Sequence, residues 1–144
     1  MKAPVSVLAL ALAWGAAPRH FDVAATFEPA RKAGATPFVA VSFSPLDPDV
    51  HINEEPAPRL KLDLGQAVLV DRQAPAPDKN ADWDPEHAKY IDLAKPVRFP
   101  VALAPGAPRG SQSVKATVVF FYCSSREGWC RRGTSELDVP VTVP

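Results

Sequence analysis

The sequence lacks the features that several large classes of protein require. Its longest apolar run, residues 5–14, is about half of the roughly 20 residues that a membrane-spanning helix needs. Its 16 basic and 16 acidic side chains cancel, so no basic stripe marks it for a phosphate backbone. No catalytic Ser-His-Asp order, pair of carboxylates or glycine-rich phosphate loop stands out. We expect no nucleic acid partner, no cofactor, no metal and no membrane span in the mature chain.

Helices are disfavoured as well, because 17 prolines are spread along the whole chain. An interior proline removes a backbone donor and clashes with the preceding turn. Apolar residues instead alternate with polar ones at period two, which is typical of strands with one buried face. The alternation predicts an all-β, immunoglobulin-like antiparallel β-sandwich of about seven strands. The apolar runs are 21–27, 39–43, 60–64, 67–70, 97–103, 114–122 and 137–143.

Two features interrupt this pattern. Pro140 lies inside the last apolar run, residues 137–143. A proline is tolerated in such a strand only if its missing N–H faces an open edge or a bulge. Between residues 71 and 96 the alternation disappears, and an irregular segment of that length is more often functional or mobile than decorative. Its candidate anchors are Trp83, Tyr90, Ile91 and Leu93.

The N-terminus has the layout of a secretory signal peptide. Lys2 precedes the apolar run, and the small residues Gly15, Ala16 and Ala17 follow it. We therefore expect residues 1–17 to be a signal peptide and residues 18–144 to form one periplasmic or otherwise extracytoplasmic domain. The alternative is a hydrophobic first strand in a cytoplasmic protein. Export would place the two cysteines where disulfides form and persist.

Those cysteines, Cys123 and Cys130, enclose six residues that include Gly128, whose backbone freedom suits a sharp reversal. The ends of such a hairpin come within the Cα separation of roughly 4.4–6.8 Å that a disulfide needs. Cys123 has the parity of Lys115 and Thr117 rather than that of the apolar stripe. We therefore expect its sulfur to point away from the main core.

Two interpretations of the pair stay open. As a staple, closing a loop of eight residues is worth about 2.5 kcal/mol in the chain-entropy account. As a redox site, the pair would benefit from Arg126, Arg131 and Arg132, because nearby positive charge favours the thiolate, although Glu127 opposes them.

Several segments carry a family resemblance. They are the predicted strand ATVVFFYC at 116–123, the loop end GWC at 128–130, the final strand LDVPVTV at 137–143, and VHIN at 50–53 followed by LKLDL at 60–64. Over most of residues 22–143 the chain resembles the N-terminal periplasmic domain of the thiol:disulfide interchange protein DsbD and its relatives. His51, inside VHIN, is expected to be a hydrogen-bonding histidine at a strand end rather than a metal ligand.

The resemblance implies an immunoglobulin-like domain that carries out thiol-disulfide exchange through Cys123 and Cys130. Its partners would be thioredoxin-like or other extracytoplasmic redox proteins, and Cys130 would form the mixed disulfide with them. Tyr90, in the segment that would correspond to the family's cap loop, Tyr122 and Trp129 are the predicted binding residues. Trp129 is expected to shield the disulfide. The competing class is a non-catalytic immunoglobulin-like binding module whose disulfide is structural and whose 71–96 loop contacts protein or carbohydrate.

Overall fold

A computed structural model describes residues 19–72 and 90–144 of the chain. The predicted signal peptide and the 73–89 part of the long loop, with Trp83, lie outside the described residues. Nothing in the described part forms a helix that is long and apolar enough to cross a membrane.

The described residues form eight strands in two antiparallel sheets, which confirms the all-β prediction. The first sheet has the order β1-β2-β6-β5. In the second, β7 lies at the centre, with β3 and β4 along one side and β8 along the other. The strands are β1 (Phe21–Glu28), β2 (Phe38–Pro45), β3 (Val50–Ile52), β4 (Arg59–Leu62), β5 (Leu69–Asp71), β6 (Val97–Leu103), β7 (Gly110–Ser124) and β8 (Cys130–Val143).

One apolar cluster contains buried side chains of both sheets, as a β-sandwich requires. Alternate residues of β7 supply much of it, and the rings of Phe21, Phe43 and Phe120 meet within it at centroid distances of 5.1–6.5 Å. Ile91 and Leu93, two predicted loop anchors, pack against its margin. The fully buried members include Val39, Val41, Val50, Ile52, Val101, Val114, Val118, Val139 and Val141.

The prediction that residues 60–64 form a strand with one buried face is wrong at its C-terminal end. Leu60 is buried and Leu62 packs against the core, but Leu64 is 97% exposed. β4 ends at Leu62, and the N–H of Asp63 makes a further bond to the Lys115 carbonyl before the chain turns. Gly65 follows at a φ of +93°, the left-handed conformation that glycine adopts most readily. The turn removes Leu64 from the sheet.

The expectation for Pro140 is confirmed. The N–H of Ser124 donates to the Trp129 carbonyl, so hydrogen-bonded and non-hydrogen-bonded pairs alternate from that point along β7 and β8. By this count Pro140, opposite Ser113, occupies a non-hydrogen-bonded position and its nitrogen faces away from β7. Among the described strands β8 pairs with β7 alone, so that side is an open edge.

Gly133 on β8 gives a test of the packing. It lies opposite Phe120, and a Cβ added there would come within 2.7 Å of two Phe120 ring atoms and 3.0 Å of Tyr122. We expect Gly133→Ala to lower the free energy of unfolding by about 1–3 kcal/mol, because the rings cannot retreat into a filled core. Urea denaturation measures this loss. Thr134→Ala, on the opposite and exposed face, is the control, and equal midpoints would contradict the packing described.

Candidate functional site

The cysteine hairpin, residues 123–130, closes the β7–β8 ladder. Cys123 and Cys130 are direct partners in the register and are joined by a disulfide, with their Cα atoms 4.0 Å apart. The Ser124 N–H donates to the Trp129 carbonyl and the Gly128 N–H donates back to the Ser124 carbonyl. Gly128 has a φ of +75°, which lets the chain reverse within this short loop. The hairpin therefore holds the two sulfurs at the end of the sheet.

The disulfide lies on the outer face of its sheet. Alternation places Cys123 on the face opposite to Phe120 and Tyr122, and it does not belong to the apolar cluster between the sheets. This confirms the parity prediction. The two cysteines nevertheless differ in burial, because Cys123 is 5% exposed whereas Cys130 is open to solvent. A reagent in solution therefore meets Cys130 first.

Two residues of the VHIN segment surround Cys123. His51 on β3 is its direct partner across the sheet, and Asn53 Oδ1 lies 3.3 Å from Cys123 Sγ. Tyr90 stacks on the His51 ring at 4.6 Å between centroids and forms an isolated bridge with Asn53. The Ser125 hydroxyl lies 3.4 Å from His51 Nε2, as expected for a hydrogen-bonding histidine at a strand end. The structure thus brings Tyr90 to the neighbourhood of the disulfide.

The charged side chains of the hairpin and of the two residues that follow it are mainly positive. Arg126, Arg131 and Arg132 are all exposed, and the Arg131 guanidinium lies 4.2 Å from the centre of the Trp129 ring. Arg126 makes only a 4.0 Å ion pair with Asp49. Within residues 123–132 the opposing acid is Glu127, whose carboxylate accepts a 2.6 Å hydrogen bond from Trp129 Nε1. A net positive environment favours the thiolate form of a cysteine.

Tyr122 and Trp129 lie on the other face of the hairpin. Trp129 lies opposite Ser124 across the hairpin, so the two side chains share the face opposite to that of the cysteines. The Trp129 ring contacts the rings of Tyr122 and His20 at centroid distances of 5.6 and 5.2 Å, respectively. The expectation that Trp129 shields the disulfide is therefore wrong, because alternation turns its ring toward the sandwich. His20 Nε2 is buried beside these rings without a hydrogen-bond partner among the described residues.

Of the predicted site residues, Cys123, Cys130 and Tyr90 lie on or beside the outer face of the sheet. Tyr122 and Trp129 pack against the hairpin on its inner face. Sequence reasoning did not identify Asn53 as part of the site. One local signal was available, since residues 51 and 53 alternate and so share a face. Nothing local indicated that this face adjoins Cys123.

Farther along β7 and β8, the same outer face carries a pair of opposite charges. Lys115 and Asp138, opposite each other on β7 and β8, form a 2.6 Å ion pair. The hydrogen bond that the Lys115 ammonium group donates to the Asp138 carboxylate raises the pKa of Lys115. Both side chains are exposed, so water screens the pair and it adds little stability. In residues 19–72 and 90–144 no three His, Cys, Asp or Glu side chains are grouped as a metal site would require.

Comparison with known proteins gives no match to a family model, a curated protein or a solved structure. The site must therefore be interpreted from its own geometry, and the family resemblance stays a prediction from the sequence.

The unequal burial of the two cysteines predicts unequal reactivity. In the reduced, folded protein we expect iodoacetamide to modify Cys130 roughly tenfold faster or more than Cys123, because attack needs an accessible thiolate. Brief labelling, digestion and mass spectrometry give the two rates. The same chain in denaturant is the control and should show nearly equal rates. Equal rates in the folded protein would mean that Cys123 is not protected.

Proposed function

We propose that this chain is a thiol-disulfide exchange domain that passes electrons between extracytoplasmic, thioredoxin-like proteins through Cys123 and Cys130. The observation that carries the proposal is the asymmetry of the disulfide. Cys130 is exposed on an edge strand and is followed by two exposed arginines, whereas Cys123 is buried beside polar groups outside the core. Attack can then occur at one defined sulfur, with the other as leaving group.

The reaction would proceed in two displacements. A partner thiolate attacks Cys130 Sγ, the intramolecular S–S bond breaks, and its electron pair stays on Cys123 Sγ, which takes up a proton. The partner's second thiolate then attacks its own sulfur in the mixed disulfide and releases Cys130 as a thiolate. The partner ends as a disulfide and this chain as a dithiol, so two electrons have moved. Running the steps backward oxidises the chain again.

The competing function is a binding module in which the disulfide is only a staple. One observation favours it: the bond joins residues that the ladder of 14 pairs already holds together. Against it, the bond lies outside the apolar cluster, and the chain-entropy gain for so short a loop is only about 2.5 kcal/mol. We expect Cys123→Ser combined with Cys130→Ser to fold with its core intact, as shown by a cooperative urea transition, and to exchange nothing.

The reduction potential decides between the two functions. An exchange domain should equilibrate with glutathione or dithiothreitol buffers at roughly −180 to −270 mV, the range of thioredoxin-like proteins, whereas a structural disulfide falls below about −300 mV. Trapping free thiols across graded buffers gives the value. A reduced thioredoxin should also convert the oxidised domain to the dithiol within seconds to minutes. A potential below the structural limit, with no reaction toward thioredoxin, would overturn the proposal.

The arginines predict that charge selects the partner. Arg132 shares the outer face with Cys130 and lies two residues from it, so Arg132→Glu changes the local charge by two units. At low salt we expect the ratio of the reduced domain's rates with an anionic disulfide, dithiobis(nitrobenzoate), and a cationic one, cystamine, to fall about fivefold. Stopped-flow mixing measures both rates. Taking the ratio cancels any change in the thiolate fraction.

Arg109→Glu is the matched control for this charge effect. Arg109 is exposed and precedes the far end of β7, on the order of 40 Å from the sulfurs by the rise of a strand. At that distance its charge is screened, so the ratio should stay at the wild-type value. If Arg109→Glu and Arg132→Glu lowered the ratio equally, the local arginines would have no special part in recognition.

A further inference from the structure

Asn53 places a polar side-chain atom in contact with the sulfur of Cys123. It follows β3 directly, is 5% exposed, and is fixed by a 2.8 Å bond from its own N–H to the Phe121 carbonyl. Its side-chain oxygen Oδ1 lies 3.3 Å from Cys123 Sγ. This contact joins segments that are 70 residues apart in the chain. The backbone of the sheet therefore presents the amide to the sulfur.

The chemistry of this contact changes with the redox state. In the disulfide Cys123 Sγ carries no hydrogen, so the 3.3 Å approach is a contact and not a hydrogen bond. The described residues bring no other hydrogen-bond donor to Asn53 Oδ1. Once the bond is reduced, the Cys123 thiol can donate its S–H to that oxygen. A buried acceptor that is left without a donor costs free energy, so the contact favours the form that supplies one.

We propose that Asn53 tunes the redox equilibrium of the pair toward the dithiol by accepting a hydrogen bond from Cys123 in the reduced state only. It acts through the sulfur as a positioning residue and does not touch the partner. The inference deepens the proposed function and rests on it for its purpose, because only an exchange reaction makes use of the reduced state. His51 is the second polar neighbour of Cys123, because the register of β3 and β7 places the two residues directly opposite each other.

The test compares the equilibrium with glutathione in the wild type and in Asn53→Leu. Glutathione thiolate attacks Cys130 Sγ, Cys123 leaves and takes a proton, and a second glutathione releases Cys130 and forms oxidised glutathione. Leucine has a similar volume and no acceptor. Loss of a hydrogen bond worth about 1 kcal/mol would lower the equilibrium constant for reduction about fivefold, which corresponds to a potential about 20 mV lower.

Ile52→Val is the matched control. Ile52 is the neighbouring residue on β3, is fully buried and faces the core, so the substitution loosens packing in the oxidised and reduced chains alike. Urea unfolding of both redox forms completes a thermodynamic cycle. Asn53→Leu should lower the folding equilibrium constant of both forms, and the factor by which it falls should be about fivefold larger for the reduced chain than for the oxidised chain. Ile52→Val should affect both forms equally. If Asn53→Leu does not fold, Asn53→Ala takes its place.

An unchanged or raised equilibrium constant in the Asn53 variant would overturn the inference, since a raised value would mean that the amide N–H rather than the oxygen faces the sulfur. The result is separable from the fate of the proposed function. A wild-type potential in the structural range would overturn exchange, yet the ratio between variant and wild type would still report on Asn53. A wild-type potential in the exchange range with no shift in the variant would overturn only the role of Asn53.

Discussion

The register of β7 against β8 is the constraint on which the rest of the structure depends. Fourteen residue pairs run without interruption from Gly110 and Val143 to Cys123 and Cys130. Because side chains alternate between the two faces, a slip of one residue would turn the buried valines to solvent and the sulfurs toward the core. The hydrophobic core and the candidate site are therefore opposite faces of one ladder, and the disulfide and the apolar stripe both select the same register.

The inequality of the two sulfurs follows from strand order. β7 has β3 on one side and β8 on the other at this end of the sheet, so Cys123 has His51 and Cys130 as its two lateral neighbours. β8 is an edge among the described strands, and Cys130 has a neighbour on one side only. An enclosed pocket is not needed to explain why one sulfur is buried and the other exposed. Any cysteine pair that links a central strand to an edge strand acquires this asymmetry.

Local alternation was enough to predict seven of the eight strands at least in part, the outward direction of Cys123 and the position of Pro140 at an edge or a bulge, because each depends on period two within one segment. The short β3 was missing from the predicted strands. Predictions that depended on position relative to a turn were less secure. Leu64 continues the pattern of β4 but lies past the strand's last bonds, and Trp129 adjoins Cys130 in sequence yet faces the other side. Asn53 could not be identified, because its contact with Cys123 arises only when β3 pairs with β7, and no local pattern specifies that pairing.

The two sulfurs lie in chemically different surroundings, and the difference suits a division of labour in the proposed exchange. An amide oxygen faces Cys123, and an acceptor of this kind stabilises a thiol but not a thiolate. Arg132 lies on the same face as Cys130, and positive charge stabilises the thiolate. Reduction would then place the proton on the buried sulfur and the negative charge on the exposed one. An exposed thiolate is the form that attacks a partner's disulfide, and a buried protonated thiol is the form least able to attack it prematurely. The sheet would in this way set both the site and the order of the two displacements.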